Sequence, residues 1–398
     1  MLILFSLIAI SFAAHPVKPP EQPQKMTDAE LVEALRKHQT LFEVNSEPEK
    51  RADYIMDAKY ATLPPDAPIK QVPLSDDDDE EIPEHFDSRE RWPECRQIIE
   101  TIRDQSNCGS CWAVSSAEAM SDRLCIQSGG KIKHLLSDTD ILACCKSFCG
   151  QGCEGGWPIR AWEYIEKSGI CTGGRYRQKG VCKPYAFHPC GYHPGQTYFG
   201  DCPKHLWPTP RCEKFCRRGY PIPYEKDKYY GLSSYTLPKD EKAIQRDLMK
   251  YGPSVATYKV FQDFRLYKRG IYEHKFGEQT GAHAVKLIGW GVENGTKYWH
   301  IANSWSPDWG EKVQTGSEAR VRGSPPLGSP VGVFKYFEGA SMFYRVCIIG
   351  RKKGLKAGDS DWRIWAARDA HMLKLVRHYA QLHSVFRNQE RAIPNKWA

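Results

Sequence analysis

Cys108 and Cys111 stand three apart in the stretch QSNCGSCW, in a chain with 15 cysteines. Two thiols at that spacing can hold zinc, form a redox couple, enter separate disulfides, or divide roles so that one is a nucleophile. After Cys111, the small or apolar residues Ala113, Ala117, Met120 and Leu124 recur at three and four, which predicts a helix opening here with Ser110 as its cap. Cys111 then falls in the first turn, where the partial positive charge of the helix end favours a thiolate. By itself this is weak evidence, because many helices begin with a structural cysteine.

A partner for the thiol is found in HAVKLIGWGVENGTKYWHIANSW. Two alternating runs flank Asn294-Gly295, a strong signal for a two-residue hairpin. Pairing outward from that turn brings His283, which opens the first strand, near Asn303, which closes the second. An asparagine can fix the tautomer and orientation of an imidazole whose other nitrogen faces a thiol, which is triad logic with cysteine as nucleophile. Gln105, just upstream of the helix, can offer its amide to a developing oxyanion together with the Cys111 backbone N–H. Taken singly, His283 reads as an ordinary strand histidine and Asn303 as a turn residue. Together with QSNCGSCW they do not.

The elements that must position these residues lie in the middle of 398 residues, a length sufficient for two domains. Residues 1–14 form a short apolar run ending in alanines, which reads as a secretory signal peptide and not as a membrane span. No later run is apolar enough to cross a bilayer, so stable membrane insertion is not expected. An oxidising destination predicts that most cysteines are bridged, with at least one left over, and lowers the prior for zinc; no metal and no cofactor are expected. Residues 15–81 hold a Pro- and Lys-containing start and a helical pattern at Leu31, Leu35 and Phe42 behind a Thr27 cap. They end in a proline-rich linker with six consecutive acidic residues, Asp76 to Glu81. Exposed linkers of this kind are where proteases cut, and the layout suggests a zymogen. The segment after Lys312 carries 15 basic and 6 acidic residues of the chain totals 56 and 48, leaving 41 and 42 elsewhere. The net charge of +8 therefore belongs to the tail, and the near-neutral body gives no sign of a nucleic-acid partner.

From Ile82 to Lys312 the sequence resembles the papain-like cysteine proteases, in particular the cathepsin B branch. The carrying motifs are DQSNCGSCW, GAHAVKLIGWG and YWHIANSWSPDWGE. The resemblance implies an α+β papain-like fold of two domains, one helical and one an antiparallel barrel-like sheet, with the active-site cleft between them and an occluding-loop insertion. It implies Cys111 as nucleophile, His283 as acid and base, Asn303 as orienter and Gln105 in the oxyanion hole. Trp305 would shield the His–Asn hydrogen bond, and Gly155 and Gly156 of GCEGG would clamp the substrate backbone. Carried over by position, the implied bridges are Cys95–Cys125, Cys108–Cys153, Cys144–Cys212, Cys145–Cys149, Cys182–Cys216 and Cys190–Cys202. Cys171 and Cys347 have no family partner. A thioredoxin-like reading of Cys108 and Cys111 lacks the βαβ context it requires. The implied protein is a secreted or lysosome-like thiol endopeptidase acting on proteins and peptides, restrained by its own propeptide and open to cystatin-type inhibitors. YWHIANSWSPDWGE also resembles the form in gut proteases of blood-feeding worms, which implies dietary substrates such as haemoglobin.

Three features depart from the family or stand outside it. The loop CGYHPGQTYFGDC has Tyr192 where the family has the first of two carboxylate-binding histidines and keeps only His193, which predicts weakened exopeptidase activity. Asn294-Gly295-Thr296 is a formal glycosylation sequon in a tight turn. After WGEK the family's terminal strands are not recognisable, and residues 313–398 form an atypical tail of the kind a frameshift, a retained intron or a mistaken gene boundary produces. Within it, WRIWAARDAHMLKLVRHYAQLHSVF has the pattern of a basic amphipathic helix. Loss of the strands predicts an unpaired sheet edge. It also opens the alternatives of a non-catalytic binding protein on a protease scaffold or a chain that does not fold.

Overall fold

The computed structural model describes residues 25–67, 80–311, 318–322 and 330–333. These belong to one compact unit, Met1–Tyr336. The signal-peptide run, the centre of the acidic linker, Cys347 and the amphipathic segment of the tail lie outside the described residues.

Among the described residues, seven helices and nine strands follow one another. The N-terminal arm supplies α1 (Asp28–His38) and β1 (Phe42–Val44). A helical lobe follows, with α2 (Ser88–Arg91), α3 (Arg96–Ile99), α4 (Cys111–Gln127), α5 (Asp138–Cys144) and α6 (Pro158–Ser168), preceded by β2 (Phe86–Asp87). The second lobe holds β3 (Ser233–Thr236), α7 (Glu241–Tyr251), β4 (Ser254–Phe261), β5 (Tyr267–Tyr272), β6 (Gln279–Glu293), β7 (Thr296–Ala302), β8 (Glu318–Val321) and β9 (Pro330–Val333).

Seven of the strands form a sheet in the order β1-β5-β8-β7-β6-β2, with β4 also on β6, and β3 pairs with β9. The sheet is antiparallel except between β5 and β8, which run parallel. Separate apolar clusters fill the two lobes. One packs α4, α5 and α6 around Trp112 and Trp162, and the other packs the sheet around Phe264, Trp305 and Trp309.

Helix α1 has the full capping box, in which the Thr27 hydroxyl accepts from the Glu30 amide and Glu30 answers on the Thr27 amide. The helical pattern nevertheless ends at His38. Phe42 opens a strand instead, because the Gln39 carboxamide bonds both the amide and the carbonyl of Phe42 and turns the chain. Strand β1 then pairs with β5, and Arg269, from β5, holds Glu43.

Among the described residues, the edge expected to be unpaired is covered by β8. β8 lies between β7 and β5, with Glu318 opposite Ala302 and Arg320 opposite both His300 and Ile271. The residues missing an aromatic signature are compensated by charge. Buried Glu318 bonds Arg89 at 2.5 Å and His300 at 2.7 Å, and Arg89 in turn forks onto Asp87. A strand with a buried carboxylate leaves no apolar trace in the sequence, which is why it was not foreseen.

Candidate active site

Cys111 is the first residue of α4, as the spacing predicts, and its side chain is buried. Ser110 occupies the cap position but does not cap. Its hydroxyl pairs with the Tyr185 phenol at 2.7 Å, while its carbonyl accepts from the Ala113 and Val114 amides at 2.9 and 3.0 Å. α4 is buried around nearly its whole circumference, and β6 packs along it. The backbone amides of Ala284, Trp112 and Met56 act on the Cys111 sulfur and favour its thiolate, but burial outweighs them and pushes the thiol up to about 12.

The hairpin turn forms at Asn294-Gly295, both residues having positive φ (50° and 72°). The pairing from Glu293–Thr296 outward shifts by one residue between Leu287 and Gly289. That bulge re-aims the end of β6. His283 Nε2 lies 2.7 Å from Asn303 Oδ1, which also accepts from the Ser304 amide. An oxygen that only accepts requires the proton on Nε2. Nδ1, which has no partner among the described residues, is left as the basic nitrogen. Trp305 stacks on the imidazole, with centroids 4.9 Å apart at 29°. Burial pulls His283 down to about 4, against the opposing effect of the Asn303 bond. As covered here, the thiol and the imidazole are both neutral near pH 5.

The cover is the N-terminal arm itself. Met56 bridges Ala282 through two backbone hydrogen bonds, of 3.1 and 2.9 Å, and the Asp57 amide donates to the Glu154 carbonyl. The Gln105 amide donates to the Tyr54 carbonyl at 3.3 Å, so a peptide oxygen already rests on this donor. Gly155 (φ +133°) and Gly156 floor the same channel. A Cβ on Gly155 would meet Tyr60 and Met56, and one on Gly156 would meet Trp112. Both lobes thus grip one extended segment by its backbone. Nothing in the local sequence of Tyr54 to Asp57 marks it for this position.

The single loop histidine is not the surface residue that its place in a loop suggests. His193 is buried, with Nδ1 on Asp308 at 2.9 Å and Nε2 on the Cys190 carbonyl at 3.1 Å, and Asp104 lies 3.8 Å from Nε2. Tyr192 is 78% exposed. The six bridges Cys95–Cys125, Cys108–Cys153, Cys144–Cys212, Cys145–Cys149, Cys182–Cys216 and Cys190–Cys202 are closed. Cys171 is a buried free thiol. Cys108 is therefore bridged while its neighbour Cys111 is not.

A helix-tip thiol, a strand imidazole held by a carboxamide, and two lobes gripping an extended peptide define the cleft of a thiol hydrolase that acts on polypeptide. The profile of the papain family of cysteine proteases matches residues 82–319. That is seven residues beyond where the sequence resemblance was read to end, and it reaches β8. The chain is 48% identical over 314 residues to cathepsin B-like cysteine proteinase 1 of Ostertagia ostertagi, covering 78% of this chain and 91% of that one. It is 49% identical over 310 residues to cathepsin B-like cysteine proteinase 1 of Haemonchus contortus, covering 78% and 88%. Among solved structures, procathepsin B S9 from Trypanosoma congolense superposes with a TM-score of 0.62 at 32% identity, covering 77% of this chain and 98% of that one. The chain belongs to the papain family of cysteine proteases and is cathepsin B-like. No helix among the described residues is long and apolar enough to cross a membrane.

Proposed function

We propose that this cathepsin B-like protease is a secreted or lysosome-like endopeptidase made as a zymogen, with Cys111, His283, Asn303 and Gln105 as its working residues. The observation that carries the reading is the Nε2–Asn303 hydrogen bond, which leaves His283 Nδ1 basic on the strand packed against the Cys111 helix. With the arm removed, Cys111 gives its proton to Nδ1 and the thiolate attacks the scissile carbonyl. The Gln105 amide and the Cys111 N–H hold the oxyanion. Nδ1–H then protonates the leaving amine, the C–N bond breaks, and a thioester remains. Nδ1 next takes a proton from water, the hydroxide attacks the thioester, and the acid product leaves with Cys111 restored.

Residues 15–81 act as the propeptide, supported by the passage of Tyr54 to Asp57 through the cleft. Residues 1–14 serve as leader, and 82–312 with β8 as the peptidase domain. Endopeptidase action is favoured because His193 is held by Asp308 and Cys190, and Tyr192 offers no cation for a terminal carboxylate. Dietary protein such as haemoglobin is the proposed substrate. Digestion of haemoglobin by the matured enzyme should yield internal fragments from the first time points, and Cys111→Ser should abolish it. Sequential release of C-terminal dipeptides would overturn the endopeptidase reading.

A further inference from the structure

The reaction scheme leaves Tyr258 unused. It stands on β4 directly opposite His283 of β6, and its ring meets the imidazole edge-on, with centroids 5.9 Å apart at 85°. The ring is half-buried, but its hydroxyl oxygen is inaccessible and has no hydrogen-bond partner among the described residues. Burial pushes the phenol upward, and the nearby Cys111 and Tyr267 groups push it the same way, so the hydroxyl lies within electrostatic reach of both. Phe264 meets the ring edge-on, Ile55 of the arm packs against the same apolar cluster, and the Tyr267 phenol lies within electrostatic reach of the hydroxyl. Phenylalanine would serve that packing equally well. A buried hydroxyl without a partner is a net cost, so its presence is accounted for by a partner that arrives when the arm leaves.

The chemistry says which half of the substrate that partner belongs to. His283 must reach the leaving amine to protonate it, so a group on the flank of the imidazole faces the residue that follows the scissile bond. The partner must accept a hydrogen bond. It must also be uncharged, since burying a carboxylate beside an inaccessible hydroxyl costs far more than one hydrogen bond returns. We propose that the Tyr258 hydroxyl is a specificity-determining donor that selects substrates carrying a side-chain carboxamide, asparagine or glutamine, immediately after the scissile bond. This rests on the protease reading of the site.

Matured wild type and Tyr258→Phe can be compared on two peptides that differ only after the scissile bond, asparagine in one and near-isosteric leucine in the other. Loss of one neutral hydrogen bond predicts that the asparagine-to-leucine ratio of kcat/KM falls about tenfold in the variant. Both peptides leave the same acyl group, so within each protein hydrolysis of the acyl-enzyme should proceed at one rate for the two peptides. Alkylation of Cys111 verifies that the variant is folded. An unchanged ratio, or an equal loss on both peptides, overturns the proposal. A wild type that cleaves neither peptide would instead overturn the protease reading beneath it.

Discussion

The side-chain amide of Gln105 is held from both ends. Its Oε1 accepts from the Ser304 hydroxyl at 2.7 Å, and its Nε2 donates to the carbonyls of Cys108 and Tyr54. A donor fixed in this way needs no reorganisation when an oxyanion develops. Gln105→Ala should therefore lower kcat about 100-fold with little change in KM, as read by steady-state kinetics on the matured enzyme. Residues of this kind can be proposed from the sequence because each sits inside a short motif beside a recognisable element start or end. His193 was not, because its partner Asp308 lies 115 positions away and no local pattern announces the pair. Tyr258 was missed for the same reason: it reads as an ordinary β residue until its neighbours across the sheet are known.

At the scale of elements, the hairpin β6–β7 was readable from Asn294-Gly295, and α4 from its run of small residues. The bulge that brings His283 to Asn303 was not, since one extra residue in a strand has no compositional mark. The clearest miss is β8, a strand in a segment read as foreign to the fold. Its anchor, Glu318, is 1% exposed and paired to Arg89 and His300. Glu318→Ala would leave the Arg89 charge buried with only Asp87 to answer it. Breaking a buried pair from one side costs about 3–5 kcal/mol. Thermal unfolding of the variant should show a loss of that order, with Glu318→Gln losing less. A melting temperature equal to wild type would mean that β8 is not docked in the sheet.

At the scale of the whole molecule, the two lobes meet across a buried ionic cluster between α4 and β6. Arg103 pairs with Asp138 at 2.7 Å, and Lys286 pairs with Asp122 at 2.9 Å and with the Ile99 carbonyl at 2.7 Å. Glu118 lies among them, 4.0 Å from Arg103, with neither oxygen hydrogen-bonded among the described residues. Burial pushes Glu118 up to about 7, against the pull of Lys286 and Arg103. Because the folded state holds this proton more tightly than the unfolded chain, stability is fully present below about pH 4.5 and is lost as pH rises toward 7. Glu118→Gln should raise the melting temperature at pH 8 and leave it nearly unchanged at pH 5. The gain at pH 8 should correspond to a few kcal/mol.

On the proposed reading, the arm that covers the cleft determines whether the thiol can work. Burial raises Cys111 to about 12 and lowers His283 to about 4, so in the covered protein both are neutral from about pH 5 upward to neutrality. Opening the cleft to water removes the desolvation that disfavours both charged forms, and the proton can pass from sulfur to Nδ1. The most direct test is the rate of alkylation of Cys111 from pH 4 to 9, read by site-resolved mass spectrometry on the zymogen and on the matured enzyme. The expected result is slow labelling of the zymogen throughout and fast labelling of the matured enzyme already at pH 5. Labelling of the matured enzyme that rises only near the free-thiol pKa of about 8.5 would contradict the thiolate–imidazolium account.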